Sequence, residues 1–169
     1  LIESVERIAH ERPPQAVGTV GALTVSPNSQ NTIAGHVELR VDMRHPDARM
    51  MTEMDGALRD SAAMIAEARS VVINVDDIWY KPPVVFDSDC IASVREAAAT
   101  LGYSHQDIVS GAGHDACQVC SVAPTAMIFV PCAGGLSHNE AESAKPEHLE
   151  AGCNVLLNAM VERSGVVES

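Results

Sequence analysis

Two short segments in the second half of the chain carry residue types that could do metal or thiol chemistry. The first is SGAGHDACQVC, Ser110 to Cys120, which contains a histidine, an aspartate and a CxxC pair. The second is LSHNE, Leu136 to Glu140, in which His138 lies beside an asparagine and a glutamate. Histidine, cysteine and carboxylate side chains are the usual ligands of zinc, and cysteine pairs also serve in thiol exchange. The residue types alone leave both chemistries open.

The CxxC pair consists of Cys117 and Cys120. A zinc ribbon needs a second pair of ligands at suitable spacing, and a redox site needs a thioredoxin-like context; the sequence shows neither. The spacing predicts two thiols on successive turns of an Ala-rich helix, where free cysteines readily pack. We therefore interpret the pair as packing residues. A thiol or single-zinc protein built on Cys117, Cys120 and His138 is the alternative.

A glycine-rich stretch precedes His114 where a helix is predicted to begin. Gly111 and Gly113 can leave backbone N–H groups facing a ligand at such a position. Asp115 also suits an ordinary first helical turn, so a plain helix start is the alternative.

Arg44 lies near the end of a predicted strand in which charged and apolar residues alternate, so that one face is charged and the other is apolar. Its planar guanidinium could bind a carboxylate through two parallel hydrogen bonds, which an ammonium cannot do. Asn31, in the preceding loop, could add an amide donor to the same anion. A solvated ladder of surface charges is the alternative for this face.

Composition predicts a folded, acidic, globular protein. The 169 residues are 46% hydrophobic and carry 23 acidic against 11 basic residues, a net charge of −12. This charge disfavours nucleic acid and anionic membrane surfaces as partners. The N-terminal segment has charged residues where a signal peptide needs an apolar core, and five cysteines suit reduced thiols, so we expect a cytoplasmic protein.

Helix and strand patterns predict an α/β protein with two domains. The first half reads as a helix, strands at residues 17–25 and 36–45, a long helix opened by Pro46-Asp47, and a strand at residues 71–75. This α-β-β-α-β order lacks only the first strand of a ferredoxin-like β-α-β-β-α-β unit. Because an apolar helical stripe is already under way at Leu1, we expect a piece of a longer protein.

A domain boundary is predicted near residues 81–88, followed by a helix that ends at Gly102. A short helix at residues 114–121, a strand at 125–130, a glycine-rich loop and a helix from Pro146 to near Gly165 complete the second half. In an open α/β sheet, the loop after a strand is where a ligand binds, which favours a functional role for His138. The last helix is expected to bury five residues: Leu149, Cys153, Leu156, Leu157 and Met160.

Three segments occur together: PNSQNTIAGHVELRVDMRH (Pro27 to His45), SGAGHDA (Ser110 to Ala116) and GGLSHNEAE (Gly134 to Glu142). In their residues and their order, they resemble the amidase/hydantoinase/carbamoylase branch of the M20 metallopeptidase family. That branch includes N-carbamoyl-L-amino-acid hydrolases, allantoate amidohydrolases and β-ureidopropionases. One departure is Ala34, where the family usually has proline, which changes loop stiffness rather than chemistry.

The resemblance implies a homodimeric enzyme in which a ferredoxin-like lid, which also dimerises, is inserted into an α/β catalytic domain that holds two zinc or manganese ions. Residues 1–82 would be most of the lid, without its first strand, and residues 83–169 the C-terminal portion of the catalytic domain. The implied reaction is metal-assisted hydrolysis of a C–N bond in N-carbamoyl amino acids or related ureido acids such as allantoate.

The resemblance also assigns residue roles. His138 resembles the last metal ligand, Asn31 and Arg44 the residues that hold the substrate carboxylate, and Gly113 with His114 the substrate and oxyanion contacts. It assigns no catalytic residue to this chain, because the other metal ligands and the general base would lie in a preceding part of the enzyme. We therefore expect the chain alone to be inactive. The alternative is a stand-alone dimerisation or binding module that uses the lid's sheet edge.

Overall fold

The computed structural model describes residues 1–137 and 139–165, which fall into two compact units, Leu1–Pro83 and Val84–Ser169. The first unit contains two helices and a two-stranded sheet, and the second contains three helices and a short 3₁₀ turn. The protein is therefore of mixed α/β type, as the sequence predicts at this coarse level.

The first helix, α1, spans Ile2–His10. Val5 and Ile8 lie on its inner face and are buried, as the apolar stripe predicts, whereas Ile2 on the same stripe is half exposed. Glu3 in the first turn and basic residues in the last turn complement the partial charges of the helix ends.

A β-hairpin follows, formed by β1 (Val17–Ser26) and β2 (His36–Arg44). The strands pair antiparallel, and Gly21 is the extra residue of a bulge in β1. From Leu39 to Arg44, side chains on β2 alternate between half-buried and exposed, so the predicted apolar and charged faces are present. Val37, at the loop end of the apolar face, is exposed.

The long helix α2 spans Ala48–Arg69 and begins where predicted. The Asp47 side chain accepts hydrogen bonds from the backbone N–H groups of Arg49 and Met50, which satisfies two donors at the helix start. Two residues of α1 and two of α2 form the buried core of this unit, against which the apolar face of the hairpin packs: Val5, Ile8, Met54 and Leu58.

The strand predicted at residues 71–75 is not formed. Within the described residues, the sheet consists of β1 and β2 only, so this segment has no neighbouring strand to pair with. Val71 and Val72 are 50% and 88% exposed. The segment is held instead by Arg59, whose Nη1 donates to the Val75 carbonyl at 3.1 Å. An apolar alternating pattern becomes a strand only where a partner supplies the ladder hydrogen bonds.

In the second unit, α3 spans Ser88–Thr100 and α5 spans Pro146–Ser164. Asp87 caps α3, and positive φ angles at Gly102 and Gly165 allow both chain reversals where the sequence predicts them. The two helices pack through small and β-branched residues that form the core of this unit: Ala97, Ala98, Val155 and Ala159.

Two expectations for the second unit are wrong. Residues 125–130 form no strand; the described part of this unit has only an isolated bridge between Cys132 and Ala144. The short helix α4 is a single turn, Ala116–Val119, rather than the eight residues predicted. In both cases the local apolar pattern is present, but the described residues supply no second strand for residues 125–130, and no residue of α4 is buried.

The buried face of α5 also differs from the prediction. Val155 and Ala159 are buried, and the five residues expected in the core are exposed, the four large apolar ones at 50–62%: Leu149, Cys153, Leu156, Leu157 and Met160. The helix is apolar on more than one side, and close approach to the alanines of α3 selects the side with the small residues. No helix within the described ranges combines the length and apolarity needed to cross a membrane.

Substitution by alanine is expected to change the stability of the protein in opposite directions at two helical glycines. A Cβ added at Gly152 in α5 would lie 2.6 Å from Cγ1 of Val130, whereas one added at Gly56 in α2 would meet nothing within 4 Å. We expect Gly152→Ala to lower the free energy of unfolding by about 1–2 kcal/mol through overpacking. Gly56→Ala should raise it by about 0.5–1 kcal/mol, because alanine is the better helix former. Urea unfolding of both variants measures the two changes, and changes of the same sign would contradict the prediction.

Candidate functional site

Arg44, at the end of β2, makes a two-point contact with a carboxylate of its own strand. Its Nε donates to Asp42 Oδ1 at 2.8 Å and its Nη2 donates to Asp42 Oδ2 at 2.8 Å. Both side chains are about half exposed. The hydrogen bond from Arg44 is the main cause that lowers the pKa of Asp42, against a smaller opposing effect of burial, and the same bond raises the pKa of Arg44. The bidentate geometry predicted for Arg44 is therefore present, with an internal carboxylate.

The neighbouring charges on this face of β2 are also paired. Arg40 Nη2 lies 2.5 Å from Glu38 Oε1, a single-point contact between exposed side chains. The face thus resembles the solvated charge ladder that the sequence left as an alternative. Arg44 differs from Arg40 because two parallel hydrogen bonds, rather than one contact, fix its guanidinium plane.

Asn31 lies in the exposed loop that joins the two strands. Its side-chain oxygen accepts a hydrogen bond from Ser29 Oγ at 2.9 Å, and the loop is closed by a bond from the Gly35 N–H to the Ser26 carbonyl at 2.9 Å. The amide is thus held within the loop and is accessible from solvent.

The structure does not bring Asn31 and Arg44 together within one chain. Ser26 pairs with His36 at the loop end of the hairpin, and Val17 pairs with Arg44 at the opposite end. Eight residues of antiparallel strand separate His36 from Arg44, which corresponds to about 27 Å at the usual rise per residue. Within one chain the two residues therefore lie at opposite ends of β2, because the strand is extended along its whole length, and their joint binding of one anion stays a prediction.

His114 is positioned by a short loop before α4. Ser110 Oγ lies 2.7 Å from His114 Nε2, and Ser110 Oγ also accepts a hydrogen bond from the Ala112 N–H at 3.2 Å. The imidazole meets the Phe129 ring edge-on, with ring centroids 5.5 Å apart. A Cβ added at the neighbouring Gly113 would meet nothing within 4 Å, so a ligand can approach the backbone there.

Cys117 and Cys120 are free and partly buried. Because α4 ends at Val119, the two thiols do not lie on successive turns of a longer helix. Cys120 Sγ donates to the Val85 carbonyl at 3.6 Å, a contact within the second unit. Within the described residues, neither thiol joins a group of ligands that could hold a metal ion.

His138, the predicted metal ligand, lies outside the described residues. In residues 1–137 and 139–165, no group of three or more His, Cys, Asp or Glu side chains could hold a metal ion. The chain after His138 forms a tight turn in which the Ala141 N–H donates to Asn139 Oδ1 at 2.9 Å. The described residues therefore do not by themselves fit a metal pair.

The sequence reasoning did not identify several side chains that contact the predicted site residues, among them Asp42 and Ser110. Asp42 lies two positions before Arg44, a spacing that places both on one face of a strand, and Ser110 lies four positions before His114. The first could have been found from the strand period. The second depends on the path of a loop that has no regular period.

Comparison with known proteins gives consistent matches over nearly the whole chain. The family model described as peptidase family M20/M25/M40 matches residues 3–162. The N-carbamoyl-L-amino-acid amidohydrolase of Rhizobium meliloti is 45% identical over 168 residues, which cover 99% of this chain and 40% of that protein. The allantoate amidohydrolase of Bacillus subtilis (strain 168) is 31% identical over 150 residues, which cover 89% and 36%.

Among solved structures, an amidase of the hydantoinase/carbamoylase family from Burkholderia multivorans matches with a TM-score of 0.91 and 52% identity, covering 96% of this chain and 39% of that one. The resemblance predicted from three sequence segments is confirmed by these matches. The chain spans about 40% of the length of the curated relative from Rhizobium meliloti.

The contact between Ser110 and His114 predicts the tautomer of the imidazole. Ser110 Oγ accepts from the Ala112 N–H and has one proton of its own to donate; we expect that proton to be donated to Nε2, which makes Nδ1 the protonated nitrogen. In Ser110→Ala this preference should be lost, and the tautomer population should shift toward the form protonated at Nε2. Nitrogen-15 NMR of histidine-labelled protein measures this. Ser121→Ala, which removes a hydroxyl bound to the Gln118 carbonyl, is the control. A protonated Nε2 in the unsubstituted protein would contradict the assignment.

Proposed function

Because this chain belongs to peptidase family M20/M25/M40, we propose that it forms part of a metal-dependent amidohydrolase. The proposed enzyme cleaves a C–N bond of N-carbamoyl amino acids or related ureido acids. The similarity to an N-carbamoyl-L-amino-acid amidohydrolase and to an allantoate amidohydrolase supports this class of substrate. Such substrates share a carboxylate beside the ureido or carbamoyl group, so the enzyme needs an anion-binding residue as well as a hydrolytic centre.

The observation that carries the proposal is the two-point contact of Arg44 with a carboxylate. It demonstrates that the guanidinium at this position reaches the geometry in which arginine binds carboxylates most specifically. We assign the substrate carboxylate to Arg44. Binding that group would fix the position of the substrate before hydrolysis.

We assign residues 1–82 to a ferredoxin-like lid that lacks its first strand, and residues 83–169 to a portion of the catalytic domain. The division into compact units at Pro83 and Val84 and the packing of two helices against a hairpin support the assignment. In the second region, His114 and the backbone N–H of Gly113 would contact the substrate and the developing oxyanion. The open space beside Gly113 and the fixed imidazole ring are consistent with those roles.

His138 would be the ligand that this chain contributes to a pair of zinc or manganese ions. Two divalent ions supply Lewis-acid activation for hydrolysis when they are bound. The described residues by themselves include no group of three or more potential ligands, and we assign the other ligands of the metal pair to a preceding part of the enzyme. Net charge −12 and five free cysteines support the accompanying proposals of a cytoplasmic protein that binds neither nucleic acid nor membranes.

A homodimer formed through the edge of β1 would bring Asn31 and Arg44 to a single site. In the described residues, the outer edge of β1 pairs with no strand, and the segment Val17–Ser26 contains no charged residue and no proline to prevent pairing. Two copies paired antiparallel along this edge would place the loop of one copy at the hairpin end where the other copy has Arg44. The same edge also suits the second candidate function, a stand-alone dimerisation module, which differs in having no hydrolase activity.

Replacement of His138 tests the proposed metal-dependent activity. In the full-length enzyme, His138→Ala should lower both the bound metal and the hydrolysis of an N-carbamoyl-L-amino acid, because a lost ligand weakens the site that both need. Metal content by elemental analysis and release of the free amino acid measure the two effects. His105→Ala, an exposed histidine bonded to the Tyr103 carbonyl, is the matched control. Unchanged metal content and turnover in His138→Ala would reject the assignment. An unsubstituted enzyme that hydrolyses no carbamoyl or ureido acid would favour the dimerisation module.

Mixed dimers test whether Asn31 and Arg44 act across two copies. Arg44→Lys should weaken substrate binding by about 1.5–3 kcal/mol, because lysine keeps the charge but loses the planar fork. Asn31→Ala should weaken binding in the same direction. A dimer with one copy of each variant would have one site with both substitutions and one with neither, so it should regain about half of the original activity. Mixed dimers no more active than the parent variants would place both residues of each site in one copy.

A further inference from the structure

The two cysteines of the CxxC pair lie within a single helical turn. Cys117 is part of α4, and Cys120, which directly follows α4, keeps helical dihedral angles, φ −56° and ψ −21°. The Cys120 N–H donates to the Ala116 carbonyl at 2.9 Å, which is the hydrogen bond of a regular helical turn. The backbone from Cys117 to Cys120 is therefore helical throughout. Residues three positions apart on a helix are neighbours on its surface, so the two cysteines lie on the same side of this turn.

This backbone geometry suits a disulfide between the two cysteines. In a helix, Cα atoms three residues apart are separated by about 5 Å, and the Cα atoms of bridged cysteines usually lie roughly 4.4–6.8 Å apart. Cys117 and Cys120 can therefore be joined by rotation of their side chains, with the main chain in place.

The contact that such a rotation would break is a weak one. Cys120 Sγ donates to the Val85 carbonyl at 3.6 Å, and a thiol is a poor hydrogen-bond donor. Val85 is exposed, so water can replace the thiol as the donor to its carbonyl. Oxidation of Cys120 therefore removes only a minor interaction of the second unit.

Both thiols are accessible to a small reagent. Cys117 and Cys120 are free and only partly buried, and no residue of α4 is buried. Access is one of the conditions that set the rate of thiol–disulfide exchange. Cys90, Cys132 and Cys153 are also free, but none of them has a second cysteine nearby in the sequence. The CxxC turn therefore differs from the other thiols by offering two sulfur atoms that one backbone turn holds together.

From this arrangement we infer that Cys117 and Cys120 are a reversible redox pair, which closes an intramolecular disulfide by exchange with a low-molecular-weight disulfide such as oxidised glutathione. One cysteine thiolate attacks the glutathione disulfide, forms a mixed disulfide and releases one glutathione thiolate. The other cysteine thiolate then attacks the protein sulfur of that mixed disulfide and releases the second glutathione. In total, two protein thiols are oxidised to one disulfide, one glutathione disulfide is reduced to two thiols, and the two protons pass to the released thiolates.

The helical turn favours the second exchange step over a lasting mixed disulfide. Because the backbone already holds the second cysteine next to the first, its thiol acts at a high effective concentration and has no long loop to close. An excess of reduced thiol drives the same two steps in reverse. Disulfides of this transient kind are the ones found in reducing compartments, where we expect this protein to work.

Peptide mapping of the full-length protein tests the inference. The native protein is incubated with oxidised glutathione, its remaining thiols are alkylated, and it is digested with chymotrypsin. Cleavage after Tyr103 and Phe129 leaves residues 104–129, which contain Cys117 and Cys120 and no other cysteine. We expect this peptide to carry no alkyl group and to be lighter than its reduced form by two hydrogens, about 2 Da. Treatment with dithiothreitol before alkylation should restore two alkylated cysteines.

Single substitutions separate the internal bond from simple modification by glutathione. In Cys117→Ser and in Cys120→Ser one thiol remains, so the same peptide should keep one bound glutathione. Cys153→Ser, which removes an exposed thiol elsewhere in the second unit, is the control and should form the bond as before.

The unsubstituted protein gives the decisive result, whether or not the serine variants fold. A peptide that retains bound glutathione at one or both cysteines would overturn the inference, because the second exchange step would then not occur. Two alkylated cysteines after incubation would overturn it as well, since neither thiol would have reacted. A bond that forms in urea but not in the native protein would also overturn it, because the folded turn would then keep the two sulfur atoms apart.

Discussion

The antiparallel register of the β1–β2 hairpin organises the whole of the first unit. One face of the hairpin has to cover the buried residues of α1 and α2, and the two-residue period of a strand then sends the alternate side chains of β2 to the other face. Asp42 and Arg44 share that outer face for this reason alone. A shift of the register by one residue would turn Arg44 toward the core and expose Met43.

The same register determines what a single copy of the chain can bind. The register places Asn31 in the loop at one end of the hairpin and Arg44 at the other end, although the two residues are close in sequence. Between them runs the outer edge of β1, which carries no charged side chain and which pairs with no strand among the described residues. In the proposed dimer, the separation of Asn31 from Arg44 and the pairing of two β1 edges would both follow from this one hairpin geometry.

In the proposed function, local pairing of charges would give this acidic protein its means of binding a carboxylate. With 23 acidic and 11 basic residues, its overall field repels anions. Several arginines are bound to carboxylates of their own unit, including Arg44 to Asp42, Arg59 to Asp55 and Arg95 to Asp107. An anionic substrate would therefore be held by the fixed direction of one guanidinium at short range, rather than attracted by a broad positive surface.

Features that depend on neighbouring residues could be predicted from the sequence alone. Asp47 as a cap, proline at the start of α5 and glycines at Gly102 and Gly165 marked helix ends correctly, because caps and left-handed φ angles are local requirements. The three motif segments identified the family for a similar reason, since each is a contiguous stretch of chain. The bidentate capacity of Arg44 is likewise a property of its side chain.

Which elements find partners depends instead on the tertiary structure. Residues 71–75 and 125–130 have strand-like patterns but form no strands, because a strand exists through hydrogen bonds to a neighbour that the pattern does not specify. For α5, the periodicity showed that the helix is apolar, and packing against the alanines of α3 chose Val155 and Ala159 as its buried residues. The separation of Asn31 from Arg44 likewise depends on the tertiary structure, because the extended hairpin places the two residues at opposite ends. The contact between Arg44 and Asp42 depends on it too, since both side chains must lie on the same face of β2.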